Sequence, residues 1–396
     1  MKIAMIGQKG IPAKSGGIEK HVEHLSLKLS DLGHEVLAYT RPHYSPKHKK
    51  NYKKVKLISL RSLKTKNLDA ASHTFFASLH AIYKLKDLNI IHYHGIGPSL
   101  FAWLPRLLKP SLRVVSTFHC QDYYHQKWSL LARLSLRLGE AFSVLVPHKT
   151  IAVSRTLKRY AKAVYGKDIV YTPNATEQKS VNKIATKSEQ KVLDKKWSLL
   201  PRGYLITVNR LVKHKGIHTL IEAYNHLDPK AQLKKKLVIV GKPSYTDNYL
   251  AELKSLAANN PNIIFTGQQV GKDLELLFKN AFAYIHPSES EGLSLALLEA
   301  MHYGLPILTS NIPENIEPIN GIGLTFRNKN ISDLYKRLGQ LLALSRNDIK
   351  KMARKGQERS RDHYNWENVA QKTEKVYISA LSSKARVLLK FKAKKV

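Results

Sequence analysis

The densest chemical signal in the chain is Glu291-Gly292-Leu293-Ser294-Leu295-Ala296-Leu297-Leu298-Glu299-Ala300, with seven residues between its two carboxylates. It follows an apolar run at 282–285 and a loop holding Pro287. A helix starting near Leu293 would aim its free backbone N–H groups beyond the strand end, where they form a cradle for an anion. Glu299 would then stand about 8–9 Å along the axis from the first amide, roughly the span from a pyrophosphate to the far side of a ribose. Carboxylates flanking such a cradle suit the hydroxyl groups at both ends of a nucleotide sugar. The same spacing also suits a capping Glu and an exposed helical Glu.

A second cluster, Asn209-Arg210-Leu211-Val212-Lys213-His214-Lys215-Gly216, follows the apolar run 204–208. Ligands of open α/β sheets bind beyond the carboxyl ends of strands, which places the planar fork of Arg210 and the point charge of Lys215 to meet phosphates. A third, Gly7-Gln8-Lys9-Gly10-Ile11-Pro12-Ala13-Lys14-Ser15-Gly16-Gly17, follows the first apolar run. Its glycines allow close backbone approach at the positive end of the next helix, without the G-x-G-x-x-G spacing of nicotinamide or flavin sites. Gly95-Ile96-Gly97 reads only as a turn. His119, in Thr117-Phe118-His119-Cys120, sits just past the run 113–117, where it would project from a strand end or serve as a neutral structural histidine. His92 and His94 alternate as metal ligands can, yet no nearby carboxylate or cysteine completes a set, so no metal site is expected.

These groups need a scaffold, and the chain has the pattern for one. Short aliphatic or β-branched runs at 2–6, 35–39, 55–60, 90–93, 113–117 and 150–153 alternate with amphipathic stretches, the first at 17–32 with Val22, Leu25 and Leu29 on one face. Runs at 204–208, 237–240, 263–265, 282–285, 306–308 and 323–326 repeat the scheme, with helical patterns at 217–227, 249–258, 273–280, 294–303 and 331–342. Alternation of this kind predicts parallel sheets covered on both faces. The expected organisation is an N-terminal Rossmann-like domain over 1–173, a polar linker over 174–201 and a second Rossmann-like domain over 202–364. A helix over 365–383 and a basic tail over 384–396 complete it.

At 396 residues the chain exceeds the roughly 250–300 that one hydrophobic core usually serves. An apolar fraction of 43% and a charged fraction of 24% exclude disordered and fibrous classes. The net charge of +37 favours polyanionic partners such as phosphates, nucleic acid or anionic lipid headgroups. The first apolar run stops at Gly7 and Lys9, short of a signal-peptide core, and Arg133, Arg137 and Glu140 break the apolar stretch 130–146. With Cys120 as the only cysteine, the expectation is a cytoplasmic protein.

Taken together, these motifs resemble the retaining glycosyltransferases of family four, with the GT-B fold. The likeness is carried by the glycine loop, Thr117-Phe118-His119, Val153-Ser154, Pro173-Asn174, Arg210 to Gly216, Glu291 to Glu299, and Tyr364-Asn365-Trp366. Gly-Ile-Pro-Ala-Lys-Ser-Gly-Gly and Gln126-Lys127-Trp128 resemble a bacterial rhamnosyltransferase-like branch. The resemblance implies two doubly wound, facing Rossmann-like domains with a cleft, the C-terminal helix packing back toward the N-terminal domain. It implies that Arg210 and Lys215 hold the donor diphosphate and stabilise the leaving nucleotide. Glu299 would bind the ribose, and Glu291 and His119 would contact the sugar. Backbone at Gly16 and Gly17, and at Gly292, Leu293 and Ser294, would serve the phosphates, with Gly267 and Gln268 facing the base. Asn209 replaces the glycine usual before the Arg, and Gly241-Lys242-Pro243 lacks a second glycine.

The implied reaction is sugar transfer from a nucleotide sugar with retention of anomeric configuration, in surface polysaccharide or glycolipid assembly. No cofactor or metal is required, since two cations take the role of a divalent ion and no Asp-x-Asp motif occurs. A lysine-rich loop at 47–56 and the basic tail suit an anionic membrane surface holding a lipid-linked acceptor. The alternatives are a nucleotide-sugar epimerase of the same fold and, outside enzymes, a nucleic-acid-binding protein; the latter rests on charge alone, and no nucleic-acid partner is expected.

Overall fold

The structure is a computed structural model that describes residues 1–393 apart from 15, 46–49, 64, 66–67, 122, 124–129, 179–184, 245 and 259, with side chains through 382. It divides into two compact units, Met1–Asn174 with Trp366–Val396, and Ala175–Asn365.

Unit 1 is built on an eight-stranded sheet in the order β3-β4-β2-β1-β5-β6-β7-β8. Its strands are β1 (Lys2–Ile6), β2 (Glu35–Thr40), β3 (Asn51–Tyr52), β4 (Val55–Ser59), β5 (Ile90–His94), β6 (Arg113–Phe118), β7 (Lys149–Ala152) and β8 (Val170–Tyr171). All pairs are parallel except β3 with β4. Parallel strands buried on both faces read as continuous apolar runs, and β1 and β5 have no exposed residue.

The helices are α1 (Gly17–Asp31), α2 (Leu68–Lys84), α3 (Ile96–Ser99), α4 (Trp103–Leu108), α5 (Leu130–Leu145) and α6 (Arg155–Tyr165). The connection from β1 to β2 runs one way across the sheet, and those from β4 through β7 run the other. Right-handed crossovers therefore put α1 on one face and α2, α3, α4 and α5 on the opposite face. There α3 packs on α2 and α5, and α2 on α4. Beneath them lies a core of Ile6, Ala77, Ala81, Ile91, Tyr93, Leu104 and Val114.

Unit 2 has a six-stranded sheet ordered β11-β10-β9-β12-β13-β14, parallel throughout. Its strands are β9 (Tyr204–Val208), β10 (Lys236–Val240), β11 (Ile263–Gly267), β12 (Ala283–His286), β13 (Ile307–Ser310) and β14 (Leu324–Phe326). The order reverses between β9 and β12, which makes the crevice beyond their carboxyl ends the topological switch point. The flanking helices are α7 (Lys187–Trp197), α8 (Ile217–Asn225), α9 (Pro229–Lys234), α10 (Asp247–Ala257), α11 (Gly271–Asn280), α12 (Leu295–His302), α13 (Pro313–Ile319), α14 (Ile331–Leu342) and α15 (Arg346–His363).

The stretch expected as a polar linker, 174–201, contains α7. Thr186 and Glu189 form a reciprocal capping box at its start, and Lys279 pairs with Glu189 at 2.8 Å. Leu193 is its only buried residue, so its composition resembles a loop although the backbone is helical.

The final helix, α16 (Trp366–Ala393), belongs to unit 1 and packs on α1, β6 and β7. Trp366, Val369, Ala370 and Tyr377 are buried, and Tyr377 Oη lies 2.7 Å from His92 Nδ1. The basic tail, 384–396, continues this helix as far as Ala393, and its side chains lie outside the described residues. So do 47–49 of the lysine-rich loop and the Gln126-Lys127-Trp128 motif.

Tyr377→Phe removes the hydroxyl while keeping the ring, leaving a buried imidazole nitrogen unpaired. The expected loss is about 1–2 kcal/mol in urea unfolding. An unchanged midpoint would mean that this hydrogen bond does not anchor the helix.

Candidate functional site

In unit 2 two of the sequence-predicted residues, Lys215 and Glu291, meet at the switch point. Arg210 follows the end of β9, and Lys215 closes a single 3-10 turn, Lys213–Lys215. Gly216 then opens α8 with φ of 64°, and an added Cβ there would sit 2.1 Å from the Pro287 carbonyl oxygen. Only glycine lets the β9 loop lie this close to the loop after β12. The two loops are also tied by the Glu289 N–H, which donates to the His214 carbonyl at 2.8 Å.

At the centre lies a buried ion pair. Lys215 Nζ donates to Glu291 Oε1, and the same oxygen accepts from His286 Nε2 at 3.1 Å. Lys215 is only 9% exposed. Burial pushes the Glu291 carboxyl upward, but the charge of Lys215 and the His286 hydrogen bond outweigh it and hold the group well below the usual carboxylate range. A carboxylate only accepts, so His286 Nε2 carries the proton, and Nδ1 of the neutral ring accepts from Tyr284 Oη at 3.1 Å. Burial lowers the His286 pKa against the pull of Glu291. Both of these contacts of Glu291 use Oε1, and among the described residues Oε2 makes no hydrogen bond. Arg210 is exposed and makes no ion pair among the described residues.

The helix after Glu291 differs from expectation. It begins at Leu295, capped by Ser294, whose hydroxyl accepts from Leu297 N at 3.3 Å. Ser294 takes the extended backbone of an N-cap, so the helix starts after it and Gly292 and Leu293 are buried loop residues. Glu299 is half-buried and stands about 6 Å along the axis from Leu295, not 8–9 Å. Gly267 ends β11 with φ of 70°, and Gln268 follows it at the same sheet edge.

Gly16, Gly17 and His119 lie in unit 1. Gly16 precedes α1 with φ of 100°, and an added Cβ would lie 2.0 Å from a Glu19 carboxylate oxygen. The start of α1 thus already faces a carboxylate of its own first turn.

His119 lies beyond β6, buried, in a histidine cluster that the sequence did not reveal. His94 Nδ1 is 3.3 Å from His119 Nε2, the His21 ring meets His119 edge-on at 4.7 Å, and His92 is 4.0 Å from His94. Asn174 Oδ1 fixes His21 through Nδ1 at 2.8 Å, and His92 is held by Tyr377 and Thr117. One ligand nitrogen from each of His21, His94 and His119 falls within 4.8 Å of the others, so these three imidazoles could hold a divalent ion of the zinc type. The sequence offered no carboxylate or cysteine to complete a set with His92 and His94; the set that forms is of histidines, from α1, β5 and the end of β6. The period-2 pair in β5 was its only visible sign.

Burial lowers His21 to about 4, and pushes His92, His94 and His119 well below the ordinary value. For a histidine with a lowered folded pKa, the unfolded chain takes up protons first. Stability is therefore highest above about pH 6.5 and falls as pH drops toward 4. Urea midpoints should be lower at pH 5.0 than at pH 7.5; equal midpoints would contradict the neutral cluster.

Two doubly wound parallel-sheet units, one with cations and a buried carboxylate at its switch point, define a protein of the GT-B fold. The profile described as "Glycosyl transferases group 1" matches residues 190–359, and that described as "Glycosyltransferase Family 4" matches residues 15–178. The chain is 23% identical over 304 residues to the Escherichia coli O-antigen chain mannosyltransferase B, covering 74% of this chain and 76% of that one. Sucrose-phosphate synthase from Thermosynechococcus elongatus superimposes with a TM-score of 0.80 at 19% identity, over 96% of this chain and 99% of that one. Anabaena HepE, solved in complex with UDP-glucose, gives 0.76 at 16% identity, over 97% and 100%. The two matched stretches together span most of the chain, which is a glycosyltransferase of the GT-B fold.

Proposed function

We propose that the protein transfers a sugar from a nucleotide-sugar donor with retention of anomeric configuration, using fixed cations in unit 2 to receive the leaving diphosphate. The observation that carries this reading is the buried Lys215–Glu291 pair at the switch point, with the exposed Arg210 on the same loop. As the glycosyl phosphate bond breaks, positive charge grows at the anomeric carbon and negative charge on the departing phosphate. A cation held in place beforehand stabilises that charge without reorganising. Glu291 holds Lys215 through Oε1 and offers Oε2 to a sugar hydroxyl, while Glu299 takes the ribose. Amides of Gly292, Leu293 and Ser294 support the phosphates, and the backbone at Gly267 and Gln268 meets the base. For His119, Gly16 and Gly17, contact with the sugar and an amide for the phosphate are proposed from the resemblance of their motifs.

Because Arg210 and Lys215 supply the charge, the reaction is proposed to need no metal or other cofactor. The acceptor is proposed to be lipid-linked, in bacterial surface polysaccharide or glycolipid assembly at the cytoplasmic membrane face. The O-antigen name of the E. coli relative and the +37 charge support this setting. Among the described residues no helix is long and apolar enough to cross a membrane.

Lys215→Ala should slow turnover of a cognate donor about a hundredfold, equivalent to about 3 kcal/mol of transition-state stabilisation. An unchanged rate would remove Lys215 from the mechanism. Turnover should survive EDTA, and a loss restored by zinc would move the chemistry to the histidine cluster. NMR of the product should show the donor's anomeric configuration; inversion would end the retaining reading.

A further inference from the structure

The helices α2, α4 and α5 share one face of the unit 1 sheet, and their outward sides are unusually apolar. On α5 Leu145 is exposed at the helix end, and the other exposed leucines are Leu130, Leu131, Leu134 and Leu138, the first three of them 82%, 78% and 66% accessible. Their spacing of one, three and four residues makes a single stripe on a helix. The opposite side of α5 buries Gly139, Glu140, Ser143 and Val144, so the stripe cannot turn inward. On α4, Trp103, Leu107 and Leu108 are exposed, Leu107 at 68%; on α2, Phe76 and Tyr83 are exposed. Leaving so much apolar surface exposed to water is unfavourable, and apolar side chains gathered on the outer sides of helices that share one sheet face mark an interaction site. In unit 2 the exposed apolar residues, such as Leu200, Leu233 and Val270, fall on separate elements.

The charge on this face has one sign. Lys84, Arg106 and Arg137 are exposed and Arg133 half-buried on the same helices. Their two carboxylates are already engaged: Asp69 pairs with Arg41 at 2.8 Å, and Glu140, buried, accepts from Tyr160 and Tyr165. Beside Phe76 a groove of about 550 Å³ opens, lined by Leu60, Arg61, Ser62, Leu63, Phe76 and His80. Leucines and an indole edged by arginines, with no exposed carboxylate on the three helices, match an anionic lipid surface: apolar side chains enter the acyl boundary and guanidinium groups meet phosphates.

We propose that the α2–α4–α5 face of unit 1 docks in the interface of an anionic membrane, with Trp103 and the α5 leucines inserted. This deepens the lipid-acceptor reading by naming the surface, and it moves membrane contact from the lysine-rich loop and tail to a built, amphipathic face. Insertion differs from attraction to a charged tail in one measurable way. Salt screens the tail's attraction, whereas buried leucines still hold the protein on the vesicle.

The test uses the full chain with vesicles of phosphatidylglycerol and phosphatidylcholine. Wild type should sediment with phosphatidylglycerol vesicles and stay partly bound in 0.5 M salt, about tenfold better than a variant combining Leu130→Ser, Leu131→Ser, Leu134→Ser and Leu138→Ser. Brominated lipids should quench tryptophan fluorescence, and Trp103→Phe should remove the Trp103 share of that quenching from the four tryptophans of the chain. A nucleotide-sugar thermal shift, unchanged in the variants, shows that they fold and reports donor binding separately from docking. If that shift is absent while vesicle binding stands, the enzymatic reading fails and the docking face survives. The proposal is overturned if wild type ignores the vesicles, if the four-serine variant binds as wild type does, or if Trp103 is not quenched. It is equally overturned if wild type is a dimer in solution that the serine variant splits, because the face would then belong to a second copy.

Discussion

A lysine and a glutamate taken out of water together at the ends of β9 and β12 set the terms for unit 2 of this protein. Neither charge is tolerable alone at that depth, and removing one partner from such a pair ordinarily costs about 3–5 kcal/mol. The pair therefore fixes how closely the two loops approach, and Gly216 is the backbone consequence, since a side chain there would collide with Pro287. His286 and Tyr284 extend the network down β12, orienting the carboxylate from below. What results is a cation whose position is set before any ligand arrives, on the same loop as an exposed guanidinium. That is a suitable surface for a leaving diphosphate, because the charge it must stabilise appears only as the bond breaks.

Most of this architecture was legible in the residues. Twelve of the strands lie within two residues of the apolar runs that announced them, because parallel strands buried on both faces carry an unbroken aliphatic signal. Strands of two residues, β3 and β8, carried too few side chains to show a period. Helix α7 hid in a stretch read as a linker, since one buried leucine in eleven residues leaves no apolar stripe. Lys215 and Glu291 were each visible as site residues, but their pairing was not. They are 76 positions apart, and only the placement of β12 next to β9 brings them together. Alternation predicts a sheet without fixing its strand order.

Unit 1 shows the same limit more sharply. His21, His92, His94 and His119 come from a helix, one strand and a strand end, and the contact of His21 with Asn174 spans 153 positions. Desolvation keeps the four rings neutral, so they pack as polar aromatics with lone pairs available instead of as repelling cations. The C-terminal helix closes this arrangement, with Trp366 edge-on to His21 at 5.3 Å and Tyr377 on His92. The apolar outer face of α2, α4 and α5 was missed for a different reason. Burial, not composition, decides whether a leucine stripe is core or surface, and an amphipathic helix looks alike in either role.

The central claim is that unit 2 grips a diphosphate through Arg210 and Lys215. Calorimetric titration of the full chain with a nucleoside, its monophosphate and its diphosphate, each with the same base, tests this directly. Binding should strengthen more than tenfold from nucleoside to diphosphate, and Arg210→Ala combined with Lys215→Ala should erase the difference while leaving the nucleoside's own affinity in place. A preference for the diphosphate that persists in the double variant would contradict the account.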